Sequence, residues 1–367
     1  MYDNPIAEAR RQLEICNACR YCENLCAVFP AVHDRRAFGA KEIRLFSDLC
    51  HNCRGCYYAC QYIEPHEFAL NLPAVLAEVR DRGWRQQAFP SVLAKAFQHS
   101  GAAIAIATAA GFALMLGAIS LMAPAEGAGF YGLMSHASMV SIFLPAFVLP
   151  LLAISISLRR YWNAIGGGSI RWRDLGAALT AAADMRNLGG GHGDGCNFED
   201  EDRYSNLRRW LHQATMYGFL FCFAATCVAT VYHFGFALPA PYPFWSLPKL
   251  LGVFGGFLLC AGSAGLALLK LRADPGLGAN RAWGGEMGFV LLLFLVSASG
   301  LALYWFGGSQ WLGSLLALHL GAVLAFFLLM PYTKMVHGFY RFAALTKNAS
   351  ERGRSTPTAE IVPQDRR

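Results

Sequence analysis

With 55% hydrophobic and only 15% charged residues over 367 positions, the chain is too apolar for an ordinary soluble protein. Its net charge of +7 needs no nucleic-acid partner, because the basic residues lie between apolar runs, where anionic lipid accounts for them. Eight of the twelve cysteines crowd into residues 16–60, which separates a cysteine-rich head from an apolar remainder.

The opening residues, Met1 to Arg10, have no apolar stretch after their charges. No secretory signal is therefore expected, and the cysteines are expected to stay in the reducing cytoplasm. Apolar residues at helical spacing over 6–15, 40–49 and 70–79 predict helices, and no alternating pattern predicts a strand. The cysteines repeat one pattern, Cys16-x2-Cys19-x2-Cys22-x3-Cys26 and then Cys50-x2-Cys53-x2-Cys56-x3-Cys60. Three closely stepped thiolates hold one iron–sulfur cube, and the fourth of such a run ligates the other cube. The spacing thus predicts Cys16, Cys19, Cys22 and Cys60 on one [4Fe-4S] cluster, and Cys50, Cys53, Cys56 and Cys26 on a second. Zinc favours two separated pairs and would leave the third and fourth cysteines of each set without a role; disulfides are disfavoured more strongly still. Residues 1–97 read as a helical two-cluster ferredoxin domain, which resembles the iron–sulfur subunits of succinate dehydrogenase and heterodisulfide reductase. One departure is that Ala27 and Gln61 stand where a proline often follows the last cysteine.

Six runs long enough to cross a bilayer follow, at about 100–122, 138–158, 211–236, 248–270, 285–306 and 311–336. They make residues 98–340 a membrane domain with one long loop, about 159–209. With the N-terminal part inside, Lys249 alone among the 31 lysines and arginines is left on the outer side. The positive-inside rule therefore predicts a multi-pass protein of the bacterial inner membrane with both termini cytoplasmic. Within the loop, Gly189 to Asp202 is glycine-rich and then acidic; it lacks the strand-then-helix setting of a phosphate loop and reads as mobile, with partner docking as its alternative role. Cys222, Cys227 and Cys260 read as small core residues, and Cys196 as an exposed lone cysteine. Glu286 reads as a boundary charge, with proton donation to a quinone as the alternative. Residues 341–367 are expected to form a cytoplasmic tail, disordered from Glu351.

Histidines inside spans are expensive to bury and mark ligands or proton relays. His212 and His233 stand near opposite ends of the third span, and His319 and His337 near opposite ends of the sixth. Antiparallel spans then place His212 opposite His337 at the inner side and His233 opposite His319 at the outer side. Two opposed imidazoles suit a low-spin b-type haem that carries electrons and leaves no open coordination position. One haem or two is expected, since the two levels lie about 27 to 31 Å apart along the helices. His99 and His136 read as hydrogen-bonded packing.

The stretch from Ala317 through His319, Pro331 and Lys334 to His337 resembles the haem-bearing helix of nitrate-reductase gamma and heterodisulfide-reductase cytochrome b subunits. Gly195-Cys196-Asn197-Phe198 through Arg203 and Arg209 to His212, then Ala240-Pro-Tyr-Pro243 and Ser246-Leu-Pro248, are similar to the tricarballylate-utilisation protein B (CitB-domain) family, related to the C-terminal half of the cobalamin-biosynthesis protein CobZ. The resemblance covers nearly the whole chain. It implies a mainly α protein, a helical ferredoxin domain followed by a six-helix cytochrome b-like bundle. It also implies an electron-transfer role that reoxidises a cytoplasmic FAD-dependent dehydrogenase, of the tricarballylate dehydrogenase kind, and passes electrons to membrane quinone. No dinucleotide-binding motif is present, so substrate dehydrogenation falls to the partner. The alternatives are a membrane-anchored iron–sulfur redox sensor, the electron-transfer subunit of a different heterodisulfide- or nitrate-reductase-like complex, or a transporter carrying a ferredoxin domain.

Overall fold

The computed structural model describes residues 3–26, 28–122, 130–191, 193–197, 203–238 and 240–355. Among these the secondary structure is helical throughout, apart from a single bridge between Cys196 and Ser205. The chain is therefore mainly α, as its periodicity predicts.

The first helix, Pro5–Cys19, starts where the Asn4 side chain accepts from the Ala7 amide at 3.2 Å, with Pro5 fixing φ in the first turn. It stops at Arg20, which is left-handed (φ 56°) and donates its amide to the Cys16 carbonyl. Its buried Ala9 and Leu13 pack on the helices Ala40–Leu49 and Leu72–Gln87. The last of these runs eight residues beyond the expected end at Val79. Its continuation looks too polar in sequence, but Arg80 and Trp84 are buried there: Arg80 donates to two backbone carbonyls, and Trp84 Nε1 donates to Asp48 at 2.8 Å.

Six helices long and apolar enough to span a membrane follow. They are Gly101–Met122, His136–Ala164, Leu207–Phe236, Leu247–Arg272, Trp283–Phe306 and Leu312–Leu329, here the first to sixth spans. The chain is accordingly a multi-pass membrane protein. The third and fourth spans touch backbone to backbone: a side chain on Gly218 would collide with Leu259 and Gly255, so only glycine admits this approach. The first and sixth spans meet in the same way at Gly111 and Gly321. Between the third and sixth spans, by contrast, long rings fill the space, with Phe219 against Phe326 at 5.5 Å.

Two expectations need correction. The sixth span does not reach His337. Pro331 has no amide to donate and ends the helix at Leu329; two short 3-10 turns follow, and His337 opens a new helix, His337–Ser355. That helix also replaces the expected disorder from Glu351 as far as Ser355. It is anchored where Glu351 accepts from Arg35 and, at 3.1 Å, from Lys347. Residues 356–367 lie outside the described residues. The core of the N-terminal part (Ile43, Phe46, Leu49, Val79) is shared with Tyr161 and Ile165 from the end of the second span and with Val336, Tyr340 and Ala344.

Candidate electron-transfer site

The two cysteine sets fold back on each other and bring their thiols into one region of the structure. Cys16, Cys19, Cys22 and Cys60 line one cleft, together with Cys56, Tyr21 and Tyr57. Burial and the neighbouring Cys60, Cys22 and Cys19 push the Cys16 thiol up to about 12. Cys26 meets Cys53 and Cys50 instead, and Cys56 adjoins Cys26, Cys53 and Cys50. The two groups touch, since Cys22 Sγ lies 3.9 Å from the Cys56 carbonyl oxygen. Cys26, Cys50 and Cys60 each receive a backbone N–H from two residues on, at 3.4 Å, and this favours the thiolate that a metal needs. Arg20 and Arg54 occupy the same position in the two repeats, and both are left-handed, at φ 56° and 67°. Such a conformation costs a non-glycine residue roughly 1–2 kcal/mol and here turns the chain around each group of thiols.

The groups differ in exposure. Cys19 is exposed and its neighbour Tyr21 is 69% exposed, whereas Cys53 is buried. The second group faces the spans: Asn52 Nδ2 donates to the Leu277 carbonyl at 2.8 Å, and Arg54 Nη2 to the Asp274 carbonyl at 2.9 Å.

At this same end of the bundle His212 and His337 come together, their ring centres 5.7 Å apart and their planes at 77°. Metal–imidazole bonds of about 2.0–2.1 Å on opposite sides of one ion would set two ring centres roughly 6 Å apart, so the spacing fits bis-histidine ligation. His337 Nδ1 contacts the Lys334 carbonyl, which leaves Nε2 with a free lone pair, the tautomer that metal-ligating histidines adopt. His212 Nδ1 is buried without a hydrogen-bond partner. Both residues fit a haem.

The expected outer pair is not brought together. His233 stacks on His136 instead, with centres 3.9 Å apart and planes within 12°, which leaves no room for an ion between the rings. His319 turns to the fifth span, its Nδ1 3.2 Å from both the Val296 carbonyl and Ser299 Oγ. The reason is packing. The sixth span lies against the first and fifth, and the N-terminal end of the second span reaches His233 first. His99 behaves as expected, with Nε2 3.0 Å from Asp81.

Three further residues escape the sequence reading. Cys196 is buried rather than exposed, its thiol 3.0 Å from the Leu188 carbonyl and packed beside Cys53. His51, between two cysteines of the second set, is half-buried close to Arg341, Arg208 and His212, and desolvation holds its pKa well below the ordinary value. Arg80 donates to the Cys50 carbonyl at 2.8 Å. His51 carries a visible signal, a histidine inside a cysteine motif. Cys196 carries none, because 143 residues separate it from the thiol it joins. The acidic residues 199–202 proposed for docking lie outside the described residues.

Comparison with known proteins matches residues 9–88 to the Citrate utilization protein B Fer4-like domain and residues 93–358 to the family Citrate utilization protein B. The chain belongs to the citrate utilization protein B family. It is 41% identical over 357 residues to the Citrate utilization protein B of Escherichia coli, covering 95% of this chain and 93% of the relative. No solved structure matches. In this family frame the Fer4-like domain holds all eight cysteines of the two sets, and the family's larger region holds His212 and His337. The cysteine-rich head is thus an iron–sulfur domain, and one polypeptide joins it to a membrane-spanning bundle.

Proposed function

We propose that the chain is a membrane electron-transfer protein. It takes electrons from a cytoplasmic FAD-dependent dehydrogenase acting on a citrate- or tricarballylate-like acid and delivers them to the quinone pool. When bound, two [4Fe-4S] clusters and haem b supply one-electron transfer. Cys16, Cys19, Cys22 and Cys60 hold the first cluster, Cys50, Cys53, Cys56 and Cys26 the second, and His212 and His337 the haem. The basic distribution of the sequence supports an inner-membrane protein with both termini cytoplasmic. A second haem at His233 and His319 has no support in the geometry.

The observation that carries this reading is the order of the groups: a thiol set that includes the exposed Cys19, a second set touching it that includes the buried Cys53, and a histidine pair beside the second set at one end of the bundle. That order supports electrons arriving at the exposed set, where Tyr21 and Cys19 face solvent, and leaving toward the bilayer. A redox sensor would not need the histidine pair. The testing experiment reconstitutes the protein in lipid with a quinone analogue and its flavoprotein, and supplies small tricarboxylic acids. Quinone reduction that stops in Cys56→Ser and in His337→Ala, while the flavoprotein still reduces a soluble dye, is the expected result. Quinone reduction at the wild-type rate in both variants would overturn the reading.

A further inference from the structure

Arg208 stands four residues before His212 and Arg341 four residues after His337, so each arginine lies one turn from its histidine on the same helix face. Both reach the second cysteine loop. Arg208 Nη1 donates to the Asn52 carbonyl at 2.8 Å, and Arg341 Nη2 donates to the Cys50 carbonyl at 3.1 Å. Asn52 and Cys50 flank His51, so the loop is held from two helices at either side of this half-buried histidine. The Cys50 carbonyl also accepts from Arg80. Asp48, whose carboxylate accepts from Trp84 Nε1, is the acidic group facing Arg80 and Arg341. Arg208 also neighbours Cys196.

These contacts do more than close a gap between two parts of the chain. A neutral donor would satisfy either carbonyl equally well. Two guanidinium groups instead place permanent positive charge between the loop and the histidine pair, in a setting where charge acts more strongly than in water.

We propose that Arg208 and Arg341 are paired positioning residues: they clamp the second cysteine loop onto the two helices that carry His212 and His337, and their charge makes the second metal centre the easier of the two clusters to reduce. The proposal rests on the assignment of that centre and of the haem given above. Reduction adds negative charge beside the loop, and each guanidinium favours it. The electron is thereby drawn from the first set, with its exposed Cys19, to the second set, with its buried Cys53, next to the histidines.

The test is a redox titration of the purified full-length protein carrying its clusters and haem, with the clusters followed by electron paramagnetic resonance and the haem by visible absorption. Arg341→Gln and Arg208→Gln each lower the equilibrium constant for reducing the second cluster about tenfold, a shift of about 59 mV for one electron. Iron content, haem content and the first cluster's potential stay at wild-type values. Arg341→Lys and Arg208→Lys, which keep the charge, stay within about twofold of wild type. A Gln variant with full iron and an unmoved second-cluster potential overturns the proposal. Should the Gln variants lose iron, the Lys variants decide: a wild-type potential supports the charge role, and a tenfold fall overturns it. A wild-type protein lacking the second cluster or the haem would overturn the functional assignment instead, and would be seen before any variant is compared.

Discussion

The imidazoles of His212 and His337 meet with ring centres 5.7 Å apart, although one lies in the first turns of the third span and the other opens a helix beyond the sixth. A short 3-10 passage that begins at Met330 and contains Pro331 turns the chain so that His337 points at the third span rather than continuing down the sixth. His337→Ala and His212→Ala are each expected to abolish the reduced b-type α-band in visible spectra of the purified protein. His233→Ala and His319→Ala are expected to keep it, since neither has geometry for the same ion. Loss of the band in His233→Ala but not in His212→Ala would reverse the assignment.

The sorting of the thiols gives a stoichiometric prediction. Two cubes bring about eight non-haem irons per chain. In the proposed assignment Cys26, a neighbour of Cys50 and Cys53, and Cys60, a neighbour of Cys16, each serve the other set's cluster. Cys60→Ser should therefore disturb the cluster signal that Cys16→Ser and Cys19→Ser disturb, and Cys26→Ser the one that Cys53→Ser disturbs. Electron paramagnetic resonance of the partly reduced variants distinguishes the two signals. A Cys60→Ser protein that matches Cys53→Ser in its altered signal would refute the exchange.

Much of this arrangement is legible in the sequence, and the reasons for what is not are physical. Ligand spacing is a local property, so the two thiol groups can be read from residues 16–60 alone, and hydropathy places all six spans because each must satisfy its own backbone in lipid. Which span faces which is another matter. That is decided by glycine contacts such as Gly218 on Leu259 and Gly111 on Gly321, and these put the sixth span against the first instead of leaving His319 opposite His233. Pro331 is a signal for the helix end, yet the long apolar run before it masks the break. Arg208 and Arg341 become meaningful only once their two helices are known to meet the Cys50 loop.

The contact between the third and fourth spans should be intolerant of bulk. A Cβ at Gly218 meets backbone atoms of Leu259 and Gly255, which cannot rotate away as a side chain could. Gly218→Val is expected to destabilise the detergent-solubilised protein by about 1–3 kcal/mol through overpacking, read as a lower midpoint of thermal aggregation. Gly117→Ala, at a position with nothing within 4 Å of an added Cβ, is the matched control and should leave the midpoint unchanged.

Glu286 at the start of the fifth span holds two lysines. Its carboxylate lies 2.5 Å from Lys270 Nζ and also contacts Lys334 Nζ, which in turn sits 5.1 Å from the centre of the Trp84 ring. One negative charge thus links the end of the fourth span, the fifth span and the turn before His337, which favours a structural ion cluster over a proton donor. Glu286→Gln leaves two ammonium groups beside each other without a counter-charge, and removing one partner of such a pair is the damaging change. A loss of about 2 kcal/mol is expected, smaller than for a fully buried pair because each side chain stays partly exposed. Adding Lys270→Met to Glu286→Gln should recover part of that loss, since one neutral amide then faces a single lysine. Thermal midpoints of the two variants and the wild type measure this directly. A Glu286→Gln protein of wild-type stability whose quinone reduction falls steeply would instead assign this carboxylate to proton delivery.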